Sequence, residues 1–398
     1  MKTRNILLAI VAVAALSCKK EDIKVKADNK LADLPLGGNP VPELDVTQFA
    51  KNIENYLNTR VSGYGYTISH NGTIFYLDNG GGGWARKQSD PPAKAHGATV
   101  RQGTASVTKY ITALTTVATL EKYNISLDEK LYKYLPTNWK PSGLFKMLSF
   151  KNLLAHETGL INYGREFSDL KLTVEGPVQI GELIDSTRDY DNINYDLAAI
   201  IIPYVSAKHG FPADYQVLKG LEKNPNELYK QLASRFIGQA RVYVFKPAGI
   251  NQWQVMDWYT WDNNGIIDAS QGTLGYTTVY GNEKGSEKGD SRPNGGAGGL
   301  YCSAFEMAKI QLAAAQGKIV SAANYKRMRE QRLGFDGIYP GKHGKYYWKN
   351  GGANRHETIV ADFGPTQVAV FTNSRTSDIG NGLDVLGKAY DDAWEVKK

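Results

Sequence analysis

Apolar residues recur at helical spacing near the start of the ordered part of the chain and again in its middle. The first such pattern begins near Asp45, and its apolar positions are Phe49, Ile53, Tyr56 and Leu57. Further helices are predicted over residues 106–122, 195–205 and 379–394. Proline lacks an amide hydrogen and clashes with the preceding turn, so we expect Pro203 to end or kink the second of these helices.

Short apolar runs joined by turn residues predict strands at both ends of the sequence, over residues 63–69, 73–77, 356–363 and 367–372. Asn71-Gly72 joins the first two strands, and Gly364-Pro365 joins the last two; both pairs are typical of turns. The pattern therefore predicts an α/β fold of the α+β type, with one antiparallel sheet built from both chain ends and an inserted helical part. The predicted sheet part covers about 46–105 and 295–398, and the predicted helical part about 106–294.

The first residues are typical of an export signal. Two basic residues lie within the first four positions, and residues 6–16 form an apolar run too short to span a bilayer as a helix. Residues 15–18 (Ala-Leu-Ser-Cys) are similar to a bacterial lipobox, in which the cysteine receives a lipid. We therefore expect a lipoprotein signal peptide over 1–17 and a lipid on Cys18. An ordinary signal peptide with a chance cysteine is the alternative.

Residues 18–45 are charged and rich in proline and glycine, which predicts a flexible tether ahead of a domain that covers 46–398. We expect this arrangement to place the protein in the bacterial cell envelope, held to a membrane through the lipid on Cys18. The sequence leaves open which membrane holds the anchor.

Composition argues against several other classes of protein. The net charge is +7 with no run of five Lys or Arg residues, so no nucleic-acid partner is expected. Cys302 is the only cysteine besides Cys18, so no disulfide framework is predicted and Cys302 is expected in the core. The His-Glu pairs at 156–157 and 356–357 lack the second histidine of a zinc-binding helix, so no metal is predicted. The glycine-rich segment 281–299 is expected to be a surface loop, and its spacing predicts no nucleotide cofactor.

The first group with catalytic chemistry is Ser106-Val107-Thr108-Lys109, at the start of a predicted helix. Residues three apart share a helix face, so the Lys109 amine can reach the Ser106 hydroxyl. A serine hydroxyl needs a base to become a nucleophile, and a buried lysine with a lowered pKa can supply one. Free backbone amides at the helix start can stabilise an oxyanion. The same pattern at residues 17–20 shows that it is not specific alone.

Tyr190 and Asn192 lie in a polar turn just before a predicted buried helix. A phenol near the Lys109 amine could carry protons as base and then as acid, and the asparagine amide could bind both Lys109 and the substrate. Tyr-x-Asn also occurs at 56–58 and 280–282, so this pattern too is weak by itself.

A third group leads into a predicted strand. Lys349 can raise the local positive potential, Gly351 allows a substrate backbone to lie against the strand edge, and the Gly352 N–H can join that of Ser106 in an oxyanion hole. A competing match lies at 342–344, and we prefer the later one because the following strand begins at a suitable distance.

In their order and spacing, these residues resemble the serine β-lactamase and D,D-peptidase (penicillin-binding-protein) superfamily. The class C branch and its esterase relatives are the most similar. The resemblance covers about residues 46–396 and implies a β-lactamase/transpeptidase-like fold. The segments that carry it are 104–109 (Thr-Ala-Ser-Val-Thr-Lys), 153–160 (Leu-Leu-Ala-His-Glu-Thr-Gly-Leu), 190–195, 244–250 and 297–301.

The resemblance implies a role for each matching residue. Ser106 would be the acylated nucleophile, Lys109 its activating partner and Tyr190 the proton shuttle. Asn192 would orient the substrate, while Lys349 and Gly351 would line the substrate edge.

Two departures weaken any specific assignment as a β-lactamase. Asn350 stands where these proteins usually have a threonine whose hydroxyl can bind a substrate carboxylate. Arg355 lies at a position where many relatives have a small turn. It is either a contact for the substrate carboxylate, in place of the missing threonine, or a surface residue. His156 is expected to be a buried hydrogen-bonding residue under the site.

The sequence therefore predicts a serine hydrolase that acts through an acyl-enzyme on Ser106, with an amide, ester or β-lactam substrate. A class C-like β-lactamase and a D-Ala-D-Ala carboxypeptidase are alternatives within this class. A non-catalytic penicillin-binding or sensor lipoprotein on the same fold is the alternative from another class.

Overall fold

The computed structural model describes residues 42–261, 271–353 and 355–396. The predicted signal peptide, the predicted lipid site at Cys18 and most of the predicted tether lie outside these residues. Strand β1 (Pro42–Leu44) pairs antiparallel with the last strand, β12 (Trp394–Val396). Ordered structure therefore begins before residue 46, because the end of the predicted tether bonds to the C-terminal strand.

One antiparallel sheet combines strands from the two ends of the chain. Its strands are β2 (Gly63–His70), β3 (Thr73–Phe75), β4 (Gly81–Arg86), β5 (Lys94–Ala95), β8 (Gly337–Gly341), β9 (Gly344–Ala353), β10 (His356–Asp362) and β11 (Thr366–Thr372). Their spatial order is β5-β4-β2-β11-β10-β9-β8, and β3 pairs with β2. A separate pair consists of β6 (Gln102–Gly103) and β7 (Tyr301–Cys302). The prediction of one sheet from both chain ends is confirmed.

Eleven α-helices occur in the described residues, and all except the first and the last lie between the two groups of strands. They are α1 (Val46–Leu57), α2 (Thr108–Lys122), α3 (Phe150–Ala155), α4 (Phe167–Glu175), α5 (Ile180–Ile184), α6 (Asn192–Gly210), α7 (Pro212–Leu221), α8 (Pro225–Ala240), α9 (Ala304–Ala315), α10 (Ala322–Glu330) and α11 (Asp384–Asp391). Within the described residues, no helix combines the length and apolar character needed to cross a membrane.

Two predicted helix boundaries are wrong. Helix α6 continues through Pro203 to Gly210, because its residues from Ile193 to Ala207 are buried on all sides and this packing outweighs the lost hydrogen bond. The terminal helix begins at Asp384 rather than at residue 379, since Gly382 has a φ of +117° that no α-helix contains.

The sheet separates two apolar cores. On β10, Ile359 and Ala361 face the core that includes α1 and α11, whereas Val360 faces the core of the helical part. This alternation follows from the two-residue repeat of a strand. Helix α2 is buried along most of its length in the helical core. Cys302 is a free, buried cysteine, as predicted.

Candidate active site

Ser106 lies in a short helical turn, Ala105–Val107, directly before α2. The preceding residue, Ala105, has a φ of +45°, a conformation that non-glycine residues rarely adopt. Its carbonyl oxygen accepts hydrogen bonds from the Thr108 hydroxyl at 2.7 Å and from the Gly299 N–H at 3.3 Å. The surrounding structure thus fixes a strained residue beside the serine, as is common at functional sites.

Lys109 is fully buried, and its amine is held by three acceptors. The Nζ atom lies 3.1 Å from Ser106 Oγ, 2.7 Å from Asn192 Oδ1 and 2.7 Å from the Ala297 carbonyl oxygen. Burial, reinforced by the nearby charge of Lys349, lowers the pKa of Lys109 well below its ordinary value. The structure therefore brings together the predicted residues Ser106, Lys109 and Asn192.

Tyr190 lies beside the same amine. The Lys109 Nζ atom is 4.9 Å from the centre of the Tyr190 ring, and the Lys349 Nζ atom is 5.1 Å from it. Burial raises the pKa of Tyr190 to about 12, and a hydrogen bond between its side chain and that of Ser106 acts in the opposite direction. At neutral pH Tyr190 is therefore a protonated phenol in contact with Ser106.

The Lys349 side chain is buried behind Tyr190 rather than exposed to a substrate. Its Nζ atom donates to Asp336 Oδ2 and to the Asn350 carbonyl oxygen, each at 2.7 Å. Arg188 contacts the other oxygen of Asp336 at 3.1 Å. Burial lowers the pKa of Lys349, and Asp336 partly offsets this. Lys349 thus acts on the site through its charge near Lys109 and its position beside the Tyr190 ring, and its amine does not line the cavity described below.

The edge of β9 faces the nucleophile. Pairing with β8 ends at Trp348, and the Asn350 N–H donates to Asp336 Oδ2 at 3.1 Å, whereas pairing with β10 continues to Ala353. Among the described residues, this edge of the strand therefore has no strand partner from residue 351 onward. A Cβ atom on Gly351 would lie 2.6 Å from the Ser106 backbone nitrogen. Only glycine permits this approach. The free edge beside Ser106 therefore leaves room for a substrate backbone. The roles of Gly351 at the substrate edge and of the Gly352 N–H in an oxyanion hole stay predictions.

A cavity of about 420 Å³ opens beside Ser106. Ser106, Asn192 and Gly352 are among its lining residues, and charged side chains on its walls are Arg165, Glu166, Lys288 and Asp290. The predicted surface loop 281–299 supplies one wall of this cavity, so its role is larger than predicted. Among the described residues, no group of His, Cys, Asp and Glu could hold a metal ion.

Arg355 lies in the turn between β9 and β10, with a φ of +67°. Its neighbours Ala353 and His356 line the cavity, but Arg355 is not among the lining residues. The structure therefore does not bring Arg355 together with Ser106 and Lys109. Asn350 also points elsewhere, because its side-chain amide donates to the Gly380 carbonyl oxygen.

Sequence reasoning missed two groups of the site. Asp336, the partner of Lys349 and Arg188, precedes β9 in a loop and belongs to no motif. The Ala297 carbonyl oxygen, which accepts from Lys109, is a backbone atom whose role no side-chain pattern can show. The one sequence signal for this carbonyl oxygen was that the segment 297–301 carried part of the family resemblance.

Together these groups form a constellation suited to acyl transfer. A hydroxyl, an amine with a lowered pKa and a protonated phenol meet at one point, next to backbone amides and a polar cavity. The antiparallel sheet with helices on both faces, and this site at the start of α2, define the β-lactamase/transpeptidase-like class of fold.

Comparison with known proteins supports this class. Residues 49–215 match the sequence model of the Beta-lactamase family. The fold is similar to that of FmtA from Staphylococcus aureus, with 17% identity over 93% of this chain and 94% of that chain and a TM-score of 0.63. No curated protein sequence matches the chain significantly.

Two further similar structures carry enzyme names. A β-lactamase/D-alanine carboxypeptidase from Yersinia pestis has 14% identity over 87% of this chain and 99% of that chain, with a TM-score of 0.58. A D-amino acid amidase from Ochrobactrum anthropi has 15% identity over 87% of this chain and 98% of that chain, with a TM-score of 0.59. The predicted β-lactamase/transpeptidase-like fold is therefore confirmed, and the match of residues 49–215 to the Beta-lactamase family agrees with the resemblance found in the sequence.

Proposed function

We propose that this protein is a serine hydrolase that acts through an acyl-enzyme on Ser106. The observation that carries the proposal is the buried Lys109 amine 3.1 Å from Ser106 Oγ, with a pKa lowered well below its ordinary value. An amine that is neutral near physiological pH can take the serine proton, and a fully charged one cannot.

The reaction has two steps. The Ser106 proton moves to Lys109 while Ser106 Oγ attacks the substrate carbonyl carbon, and the carbonyl oxygen becomes an oxyanion beside the Ser106 and Gly352 N–H groups. The bond to the leaving group then breaks, and the proton passes to that group through the phenol of Tyr190. Water next attacks the acyl carbon by the same route, which releases the acid and restores the Ser106 hydroxyl.

The directions of the two pKa shifts favour Lys109 as the base. The pKa of Lys109 is lowered and that of Tyr190 is raised to about 12, so deprotonation becomes easier for Lys109 and harder for Tyr190. Tyr190 then serves as the donor that protonates the leaving group.

The substrate class that we favour is an amide or ester, ahead of a β-lactam. The Asn350 amide is bound to the Gly380 carbonyl oxygen and Lys349 is paired with Asp336, so neither side chain is free to bind a substrate carboxylate. The named amidase and carboxypeptidase among the similar structures make D-amino-acid amides and peptides the first substrates to test.

We also propose that the chain is a lipoprotein of the cell envelope, anchored through Cys18. The basic start, the short apolar run and the lipobox-like segment support this. Globomycin blocks lipoprotein processing, so it should leave the precursor uncleaved in producing cells. Normal maturation in its presence would discard the anchor.

Labelling with an activity probe tests the proposed function. The domain is incubated with a fluorophosphonate or a fluorescent penicillin, and the adduct is located by mass spectrometry. We expect the adduct on Ser106 and none on Ser106→Ala. Ser291 lies on another wall of the same cavity, so Ser291→Ala is the matched control and should be labelled normally. No adduct on the wild type with either probe would favour the non-catalytic binding protein.

Turnover then separates the enzyme alternatives. D-amino-acid amides, p-nitrophenyl esters, D-Ala-D-Ala peptides and nitrocefin are compared at equal concentration. The proposal expects faster turnover of amides or esters than of nitrocefin, whereas the reverse order would identify a β-lactamase.

A further inference from the structure

His156 ends helix α3 directly beneath Tyr190. It is buried and adopts the left-handed conformation, with a φ of +60°. Its ring lies 4.5 Å from the Tyr190 ring, centre to centre, and 5.0 Å from that of Tyr195. The ring therefore lies between these two aromatic side chains and provides a platform for Tyr190.

His156 also holds the backbone on both sides of Tyr190. The His156 carbonyl oxygen accepts from the Asp189 N–H at 2.9 Å, and its Nδ1 atom accepts from the Asp191 N–H at 3.2 Å. The two amides that flank Tyr190 are thus bound to one residue. The Tyr190 side chain is 43% exposed, and its other neighbours are Ser106 and the amines of Lys109 and Lys349.

A chain of hydrogen bonds fixes the state of the His156 ring. The Thr158 hydroxyl donates to Asn194 Oδ1 at 2.9 Å, which turns the amide nitrogen of Asn194 toward His156. This nitrogen lies 3.1 Å from His156 Nδ1. Two donors therefore converge on Nδ1, which must carry a lone pair rather than a hydrogen.

The surrounding charges support the same state. Burial lowers the pKa of His156 well below its ordinary value, and Arg188, Lys109 and Lys349 act in the same direction. A neutral ring keeps Nδ1 available as the acceptor for the Asp191 N–H.

We propose that His156 is the positioning residue of Tyr190, holding the phenol against Ser106 and Lys109 through its ring, its Nδ1 atom and its carbonyl oxygen. This inference rests on the proposed function, in which Tyr190 carries the proton to the leaving group. His156 does not itself touch the reacting atoms.

Two substitutions test the side-chain acceptor of residue 156 without straining the backbone conformation at that position. Glycine and asparagine both tolerate a positive φ, so neither His156→Gly nor His156→Asn strains the end of α3. Both keep the backbone carbonyl and lose the ring, but only asparagine retains a side-chain acceptor close to the position of Nδ1. We expect His156→Gly to slow Ser106 acylation by D-amino-acid amides, whose leaving amine must be protonated, about 100-fold, the lower range for a general acid–base contribution.

The expected loss lies in kcat with KM changed less than threefold, because the substrate cavity is not altered. The kcat of His156→Asn should be at least tenfold higher than that of His156→Gly. Equal activity of the two variants, or wild-type activity of His156→Gly, would overturn the inference.

A double-mutant cycle with Tyr190→Phe excludes a merely structural role. If His156 acts through the phenol, His156→Gly should cost less than threefold when added to Tyr190→Phe. A 100-fold loss in that background would show that His156 acts on something other than Tyr190. A wild type that fails to acylate Ser106 would instead contradict the proposed function, so the two failures are distinguishable.

Discussion

At the scale of single residues, Lys109 shows how position changes chemistry. An exposed lysine has a pKa near 10.4 and is charged at neutral pH. Here the side chain is excluded from water, lies near Lys349 and is bound to a serine, an asparagine amide and a carbonyl oxygen, none of which carries a negative charge. The environment therefore favours the neutral amine, which is the form that can accept a proton.

The first prediction concerns pH. The protonated amine cannot act as base, so Ser106 acylation should fall as the pH drops through the lowered pKa of Lys109. Acylation should therefore rise with pH and reach its plateau well below pH 10, measured as the rate of fluorophosphonate labelling between pH 5 and 10. Lys109→Arg cannot lose its proton and should lower the rate at least 1,000-fold at every pH. A wild-type rate that still rises steeply near pH 10 would contradict an amine with a lowered pKa.

The second prediction compares two neighbouring glycines. A Cβ on Gly351 would meet the backbone of Ser106, Thr104 and Val107 at 2.6–2.8 Å, and backbone cannot move aside cheaply. Gly351→Ala should therefore displace β9 from the nucleophile and lower kcat/KM about 100-fold. A Cβ on Gly352 would meet only the Arg375 guanidinium, at 3.1 Å, which is the end of a flexible side chain. Gly352→Ala is the matched control and should lose less than tenfold; similar losses in both would refute this explanation.

At the scale of elements, an ionic bridge joins three segments behind Tyr190. Asp336 in the loop before β8 contacts Lys349 on β9 and Arg188 in the turn before α6. All three side chains are largely buried. Removing one partner of such a group leaves charge uncompensated in a poorly solvated place, which costs more than the pairing contributes.

The third prediction follows from this bridge. Asp336→Asn should lower the free energy of unfolding by about 3 kcal/mol, measured in urea. The control is Asp214→Asn, which breaks the more exposed pair with Arg235 on the surface helices. That change should cost less than about 1 kcal/mol. Equal effects of the two substitutions would mean that burial does not decide the strength of the bridge.

Local and distant features of the site differ in how far they could be predicted. The contact between Ser106 and Lys109 follows from their spacing on one helix face, and it was predicted. Asp336 was not predicted, because its contact with Lys349 depends on the loop before β8 and on Arg188, which is distant in sequence. Arg355 was considered as a carboxylate contact because it lies where many relatives have a small turn, yet it is not among the residues that line the cavity.

Among helices and strands too, features that depend on local sequence were predicted better than features that depend on distant contacts. The strands at the two ends of the sequence and the turns between them were predicted closely, since apolar runs and turn residues are local signals. The end of α6 at Gly210 rather than at residue 205 was not predicted, because it depends on burial by other helices. The predicted terminal helix ran to residue 394, the first residue of strand β12, which is extended through its pairing with β1.

At the scale of the whole molecule, the first and last strands of the described residues are joined. β1 pairs with β12 over three residues, and the Trp394 ring stacks on His343 at 3.9 Å between ring centres. Deletion of residues 394–398 removes both contacts. We expect the thermal midpoint to fall by at least about 2–4 °C, the shift that 1 kcal/mol produces in a domain of 150–250 residues.

Ser106 labelling of the shortened chain should remain normal at 25 °C, because the site is built from other strands. An unchanged thermal midpoint would show that the paired ends do not stabilise the domain.

The sheet order has a consequence for how the chain acquires its structure. β2 lies between β4, its near neighbour in sequence, and β11, which is made only when the chain is almost complete. Pairings between such distant segments form slowly, since the entropy of closing a long loop is lost before any contact compensates for it. During synthesis β2 therefore keeps an unpaired apolar edge that other copies can join. Slow expression at low temperature should accordingly increase the yield of folded protein.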